Sequence, residues 1–233
     1  RTGVPAEMDR ALKLAGEKRH TEAMGILVKL KGMDVEERHL ELLSARLNIA
    51  KGQSTLAVVA LTQLVEREPD WAPPHHELGM LMVRPQQGRG RPPKSDIQRA
   101  IELLGRASEL EPDSHLARAS LVHVLVLDEQ WDEAAEHAAL CVQAAPLNRF
   151  YRTRLAGAQV AGGNASAGLE TLDAAAELFG GEETAPAVTV RLRAHIAKQD
   201  LIGAALLLEE LKRRFPKYPA ISRLESMIQK ASP

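Results

Sequence analysis

The sequence predicts an all-α fold, an array of about six helical hairpins closed by a final capping helix. Three observations predict it. Apolar residues recur at spacings of four and then three, the pitch of one helix face. Polar turns and Pro or Gly stops interrupt these segments at a nearly constant interval of about 34 residues. Aromatic residues make up only 3% of the 233-residue chain against 45% hydrophobic residues, and the abundant Leu and Ala favour close helix packing over a sheet.

The plan is clearest from Asp113 to Pro146, which reads as an apolar helix, a polar turn at Asp128–Gln130, an Ala-rich helix and a proline stop. Its Ala134 has equivalents at Ala23, Ala57, Ala100, Gly168 and Ala204, and the steps along the series are 34, 43, 34, 34 and 36 residues. A second column holds Leu27, Leu61, Leu104, Ala138, Leu172 and Leu208, and a third holds Leu30, Leu64, Ala107, Cys141, Ala175 and Leu211. Small residues in the first column allow two helices to approach closely. A closing column of Val35, Pro69, Pro112, Pro146, Gly180 and Pro216 ends each second helix. Asp34, Asp70 and Asp113 stand where they could cap the helices that follow. First helices keep a looser register through Ala11, Ala45, Gly79, Val122, Ala156 and Leu192.

These columns divide the chain into units 4–37, 38–71, 72–114, 115–148, 149–184 and 185–218, followed by a capping helix in 219–233. Ile221, Leu224 and Ile228 give the cap one apolar face, as an open end of a repeat array requires. The third unit is longer because nine extra residues part its helices. There Arg84, Arg89, Arg91 and Lys94 stand among Gly and Pro without an acid, so the segment is expected to be a non-helical loop. No composition break marks an internal boundary, and 1–233 reads as a single domain.

The chain resembles the tetratricopeptide repeat, a helix–turn–helix unit of 34 residues, over essentially its whole length. The resemblance rests on Leu78-Gly79 with Met82 and its equivalents, on the Ala and Leu columns and on the terminal prolines. Aromatics of the family pattern are replaced by Leu or Ala, and the first and fifth units lack the proline. The resemblance implies a right-handed α–α superhelix whose first helices line a concave groove. The positions implied to face it are Met8 and Leu12; His39, Leu42, Arg46 and Ile49; His76, Met80 and Val83; Leu116, Ala119, His123 and Val126; Phe150, Thr153 and Val160; and Thr189, Arg193 and Ile196. Apolar residues dominate this set, which is the composition of a partner site. The competing reading is that neighbouring units, tighter winding or self-association bury them. On the first reading, Leu42→Glu with Met80→Glu abolishes partner capture and leaves helicity intact.

Some family members grip C-terminal carboxylates of the chaperones Hsp70 and Hsp90 with Lys and Asn side chains. The matching windows here hold Met8, Leu12, Leu43, Pro73 and Glu77; Leu42, Arg46, Glu77, Leu116 and Ser120; and His76, Met80, Ser120, Phe150 and Arg154. None reproduces that clamp, so these tails are not expected as ligands.

Catalytic motifs are absent from the sequence: there is no phosphate-binding Gly-rich loop with Lys-Ser/Thr, no His-Glu-x-x-His and no Gly-x-Ser-x-Gly. No enzyme activity, cofactor or metal is expected. His75 and His76 are adjacent and so point about 100° apart on a helix, with no third ligand in reach. The single Cys141 sits in a packing column, which makes it a small core residue and not a nucleophile. Asn164-Ala165-Ser166 formally matches a glycosylation acceptor. Arg89-Gly90-Arg91-Pro92 looks like an AT-hook core, two arginines for a narrow minor groove, but it is single and the net charge is -1. A solvated loop or a contact for an acidic partner is the plainer reading, and nucleic acid is not expected.

No run reaches the 18 or so apolar residues of a membrane span. The chain opens on Arg1 without Met, which reads as a processed or excised segment and leaves cytoplasm and bacterial periplasm both open. The expected function is a non-catalytic scaffold or adaptor that binds a partner peptide or helix in its groove. The alternative is a helical accessory region of a larger enzyme or of a bacterial envelope assembly machine, similar to pilotins. DNA contact through the basic insert ranks last.

Overall fold

The computed structural model describes residues 3–84 and 90–232. Among these residues there are thirteen helices and no strand. Their order is α1 (Gly3–Gly16), α2 (His20–Lys31), α3 (Glu37–Ala50), α4 (Ser54–Arg67), α5 (Ala72–Met82), α6 (Lys94–Leu110), α7 (His115–Leu127), α8 (Trp131–Ala144), α9 (Arg149–Ala161), α10 (Ala165–Leu178), α11 (Ala185–Ala197), α12 (Leu201–Arg214) and α13 (Ile221–Ala231). Six consecutive pairs with α13 as a final helix match the six repeats and cap read from the sequence. The fold divides into two compact units, Arg1–Ser120 and Leu121–Pro233.

The three second-helix columns form the core. Every member is buried except Ala175, which is half-buried. In the first unit, Ala23, Leu27 and Leu30 of α2 pack with Ala11 and Leu14 of α1 and with Leu40, Leu43 and Leu47 of α3. Ala57, Leu61 and Leu64 of α4 pack in the same way with Leu42, Ala45, Leu78 and Leu81. In the second unit, Ala204, Leu208 and Leu211 of α12 close on Val188 and Leu192 of α11 and on Leu224 of α13. Met227, Ile221 and Ile228 of α13 complete that cluster as the apolar face expected of a cap.

One turn geometry joins the helices within five of the pairs. The residue two past the first helix takes a left-handed φ: Lys18 (63°), Gly52 (83°), Glu129 (64°), Gly163 (91°) and Gln199 (60°). The next backbone N–H then reaches back five residues, as in Arg19 N to Leu14 O at 2.9 Å and Asn164 N to Gln159 O at 2.8 Å. This satisfies a carbonyl that the helix end leaves open, and it reverses the chain in three residues.

The closing column lies two residues past α4, α6, α8, α10 and α12, where Pro69, Pro112, Pro146 and Pro216 cannot continue a helix and Gly180 takes φ 68°. The expected Asp caps are corrected in two places. The N-caps of α3 and α5 are Glu36 and Trp71, neither with a side-chain bond, and Asp70 instead receives Arg106 at 2.7 Å. Asn148, Thr184, Asn164 and Asp200 do cap α9, α11, α10 and α12 through their side chains.

Candidate functional site

The groove positions of the first unit are largely satisfied from within. Leu42 and Val83 are 5% and 3% exposed and belong to the core. Leu42 packs with Ala45, Leu61, Leu78 and Leu81 because α3 is flanked by α1, α2, α4 and α5, so even its intended groove side meets a helix. These two residues are thus unavailable to a ligand, and Leu42→Glu would damage the fold. Arg46 Nε donates to Glu77 Oε1 at 2.8 Å, and His76 Nε2 meets Ser120 Oγ at 2.9 Å. Burial holds the His76 pKa below the ordinary histidine value. His39 stands edge-on to Trp71 with ring centroids 5.1 Å apart and lies 3.6 Å from Glu36. Met80 and Ala119 are half-buried, and Leu116 stays 61% exposed.

The second unit is different. There Val126, Phe150, Thr153 and Arg193 come together around a cleft of ≈720 Å³. Its walls are the end of α7, the exposed side of α9 and the first turns of α11. Trp131, Arg154, Ala161, Pro186 and Val190 complete it, residues that the groove columns did not include. The floor is smooth because Gly157 and Ala158 carry little or no side chain, and Val190 lies within ordinary contact distance of where a Gly157 Cβ would stand. Val160, by contrast, is 7% exposed and packs with Ala165 and Ala194, so it too belongs to the core.

Phe150 is the most open of the cleft's aromatics, 52% exposed. The Arg154 guanidinium lies 4.8 Å from its ring centroid, a cation–π arrangement. Arg154 Nη1 also meets His123 Nδ1 at 3.4 Å. Burial, and then Arg154, push the His123 pKa down, so the ring is neutral at pH 7 and its Nδ1 can accept. Burial lowers the Arg154 pKa as well. Arg149 stacks over Phe179 at 4.4 Å and lies 3.9 Å from Glu182. Among the described residues, no acidic one lines the cleft.

The remaining candidates separate from it. His75 Nε2 bonds Pro69 O at 3.0 Å while His76 turns to Ser120, so the two rings serve different partners. Cys141 is buried on α8. Asn164 accepts from Ala167 N as the cap of α10. In the basic insert, Arg84 Nη1 donates to Ile49 O at 3.3 Å and Arg89 lies outside the described residues. Arg91 is exposed. Lys94 is corrected from loop to helix: Pro93 at the N-cap fixes φ at -55°, and Asp96 favours the positive end of α6, which therefore begins at Lys94. No described helix is long and apolar enough to cross a membrane.

No protein-family model matches the chain, and no curated protein matches it. Solved structures do. PilF of Pseudomonas aeruginosa is similar over 95% of this chain and 96% of its own, with a TM-score of 0.70 at 16% identity. MamA from Desulfovibrio magneticus RS-1 is similar over 78% of this chain and 96% of its own, with a TM-score of 0.64 at 18% identity. YrrB, described as a TPR protein with an unusual peptide-binding site, is similar over 86% and 97%, with a TM-score of 0.64 at 16% identity. Repeated columns, paired helices and these likenesses agree: the chain has the tetratricopeptide-repeat fold.

Proposed function

We propose that this protein is a non-catalytic interaction scaffold that holds a segment of a partner protein in the cleft on α9 and α11. The observation that carries this reading is Phe150, an aromatic ring left 52% exposed beside a ≈720 Å³ cleft with a Gly-Ala floor. Covering apolar surface of this kind yields roughly 25 cal/mol per Å². The cleft's hydroxyls support a binding role over a chemical one. Thr153 Oγ1 donates to Arg149 O within its own helix, and Thr184 Oγ1 accepts from Ala187 N as a cap. Both hydroxyls are thus engaged by backbone, and among the described residues no carboxylate lines the cleft itself to act as a base. The likeness to YrrB adds that this fold can carry a peptide site.

Selection from a random peptide display library tests the reading. The wild-type protein should enrich a consensus, and Phe150→Glu should lose it while its stability changes by only about 0.5 kcal/mol, as for an exposed site. Leu116→Glu, at an exposed position of the first unit, should retain the same consensus. If peptides selected on the wild type bind Phe150→Glu equally well, the cleft is not the site.

A further inference from the structure

We infer that the segment this cleft takes carries two acidic side chains flanking a bulky apolar one. The inference rests on the cleft being a binding site and concerns what it selects.

The repeat supplies an internal comparison. A residue in the ninth position of one unit meets the sixth position of the next across a seam between first helices. In the first compact unit that seam holds Arg46 and Glu77, 2.8 Å apart, a cation with its own carboxylate. The same offset in the second holds His123 and Arg154 at 3.4 Å. Here the sixth position has become the cation, and its partner is a neutral ring. The next seam holds Gly157 and Val190, which leaves an apolar gap. Beyond it, ninth-position Arg193 has no carboxylate partner among the described residues. Burial of its guanidinium lowers its pKa, although the side chain as a whole stays exposed, and the like charge of Arg223 lowers it further.

The cleft therefore presents a guanidinium on α9 and another on α11, an apolar strip between them, and no acid of its own among the described residues. Arg154, half-buried, and Arg193, exposed, both lack a carboxylate partner among the described residues, and unpaired guanidiniums beside an apolar strip favour a ligand that brings the counter-charge. The nearby cation Arg149 already has Glu182 at 3.9 Å, so the demand falls on Arg154 and Arg193. Helices α9 and α11 pack directly, which sets their axes about 10 Å apart. Carboxylates separated by a distance of that order sit about three residues apart on an extended segment, at about 3.3 Å per residue. On a helical segment they sit about seven apart, at 1.5 Å per residue. A chain terminus supplies one carboxylate only, so an internal segment must bring both from side chains to meet the two arginines.

The test uses arrays of C-terminally amidated 12-residue peptides with two Glu at either spacing and Leu or Phe between them. Matched arrays carry Gln for Glu, or Ser for the apolar residue. Wild-type protein should bind the parent peptides roughly ten- to hundredfold more tightly than the Gln set. Arg154→Gln with Arg193→Gln should erase that preference, and added salt should narrow it. The Gln peptides leave the protein unaltered, so the outcome does not depend on how well the arginine variant folds. Equal binding of Glu and Gln peptides that still requires Phe150 and the apolar residue would overturn this inference and leave the cleft as the binding site. Binding to none of the arrays would overturn this inference, and the cleft falls with it only if the display selection also enriches no consensus. A requirement for a free C-terminal carboxylate, read from non-amidated copies of the same peptides, or arginine-dependent displacement by a single-stranded oligonucleotide, would also overturn the inference.

Discussion

At the scale of single residues, the within-pair turns show where side-chain chemistry and backbone geometry disagree. Gly52 and Gly163 take their left-handed φ without a Cβ clash, but Lys18, Glu129 and Gln199 hold the same conformation with one. Lys18→Gly and Gln199→Gly should each stabilise the protein by about 0.5–1 kcal/mol, read as a higher urea midpoint at unchanged slope. Gly163→Ala should lose about 1 kcal/mol in the same measurement. Sequence alone signals such a turn at Gly162-Gly163 and within Asp128–Gln130. It conceals the matching turn at Lys18, because nothing in a lysine announces a positive φ. The repeat exposes it, since each of these residues falls two positions past its helix.

At the scale of elements, the small-residue column decides how closely helices approach. A Cβ on Gly168 would fall within contact of Val160 Cγ2 and 3.0 Å from Ala156 O, a backbone atom of α9 that cannot swing aside. Gly168→Ala should therefore cost about 1–3 kcal/mol, measured by chemical denaturation, although other units carry Ala in this column. Helices and core faces were legible because periods of three and four expose which side must leave water. Leu42 falls in the core and not in a groove for a related reason. Periodicity identifies an apolar stripe but not how many neighbours cover it, and α3, hemmed by four helices, buries Leu40, Leu42, Leu43, Ala45 and Leu47. Trp131 and Arg154 of the cleft escaped the groove columns. Arg154 stands in the last of the clamp windows, and its sixth place in the unit, opposite a ninth place that holds no acid, is the signal that it lacks a partner.

At the scale of the whole molecule, three histidines tie stability to pH. Burial is the leading cause that lowers the pKa of His75, His76 and His123 below 6.5 in the folded state. The unfolded chain then binds more protons than the native one as pH drops through that range. Stability is thus full above about pH 6.5 and falls as pH decreases toward the folded values. Urea midpoints should decrease from pH 7.5 to 5.5. The depressed Asp200 carboxylate, held by Gly203 N and His195, acts only below about pH 4 and leaves this window clear. The array was legible from spacing because every copy repeats the same compromise between close packing and chain reversal. The cleft's preference was not, since it depends on which seam kept its acid and which did not. The burial of Cys141 has a practical consequence beyond packing. As the chain's one thiol, 1% exposed on α8, it is a built-in kinetic reporter. A sulfhydryl reagent can reach it only when α8 separates from its neighbours, so labelling rates follow local opening of the native protein without any added probe.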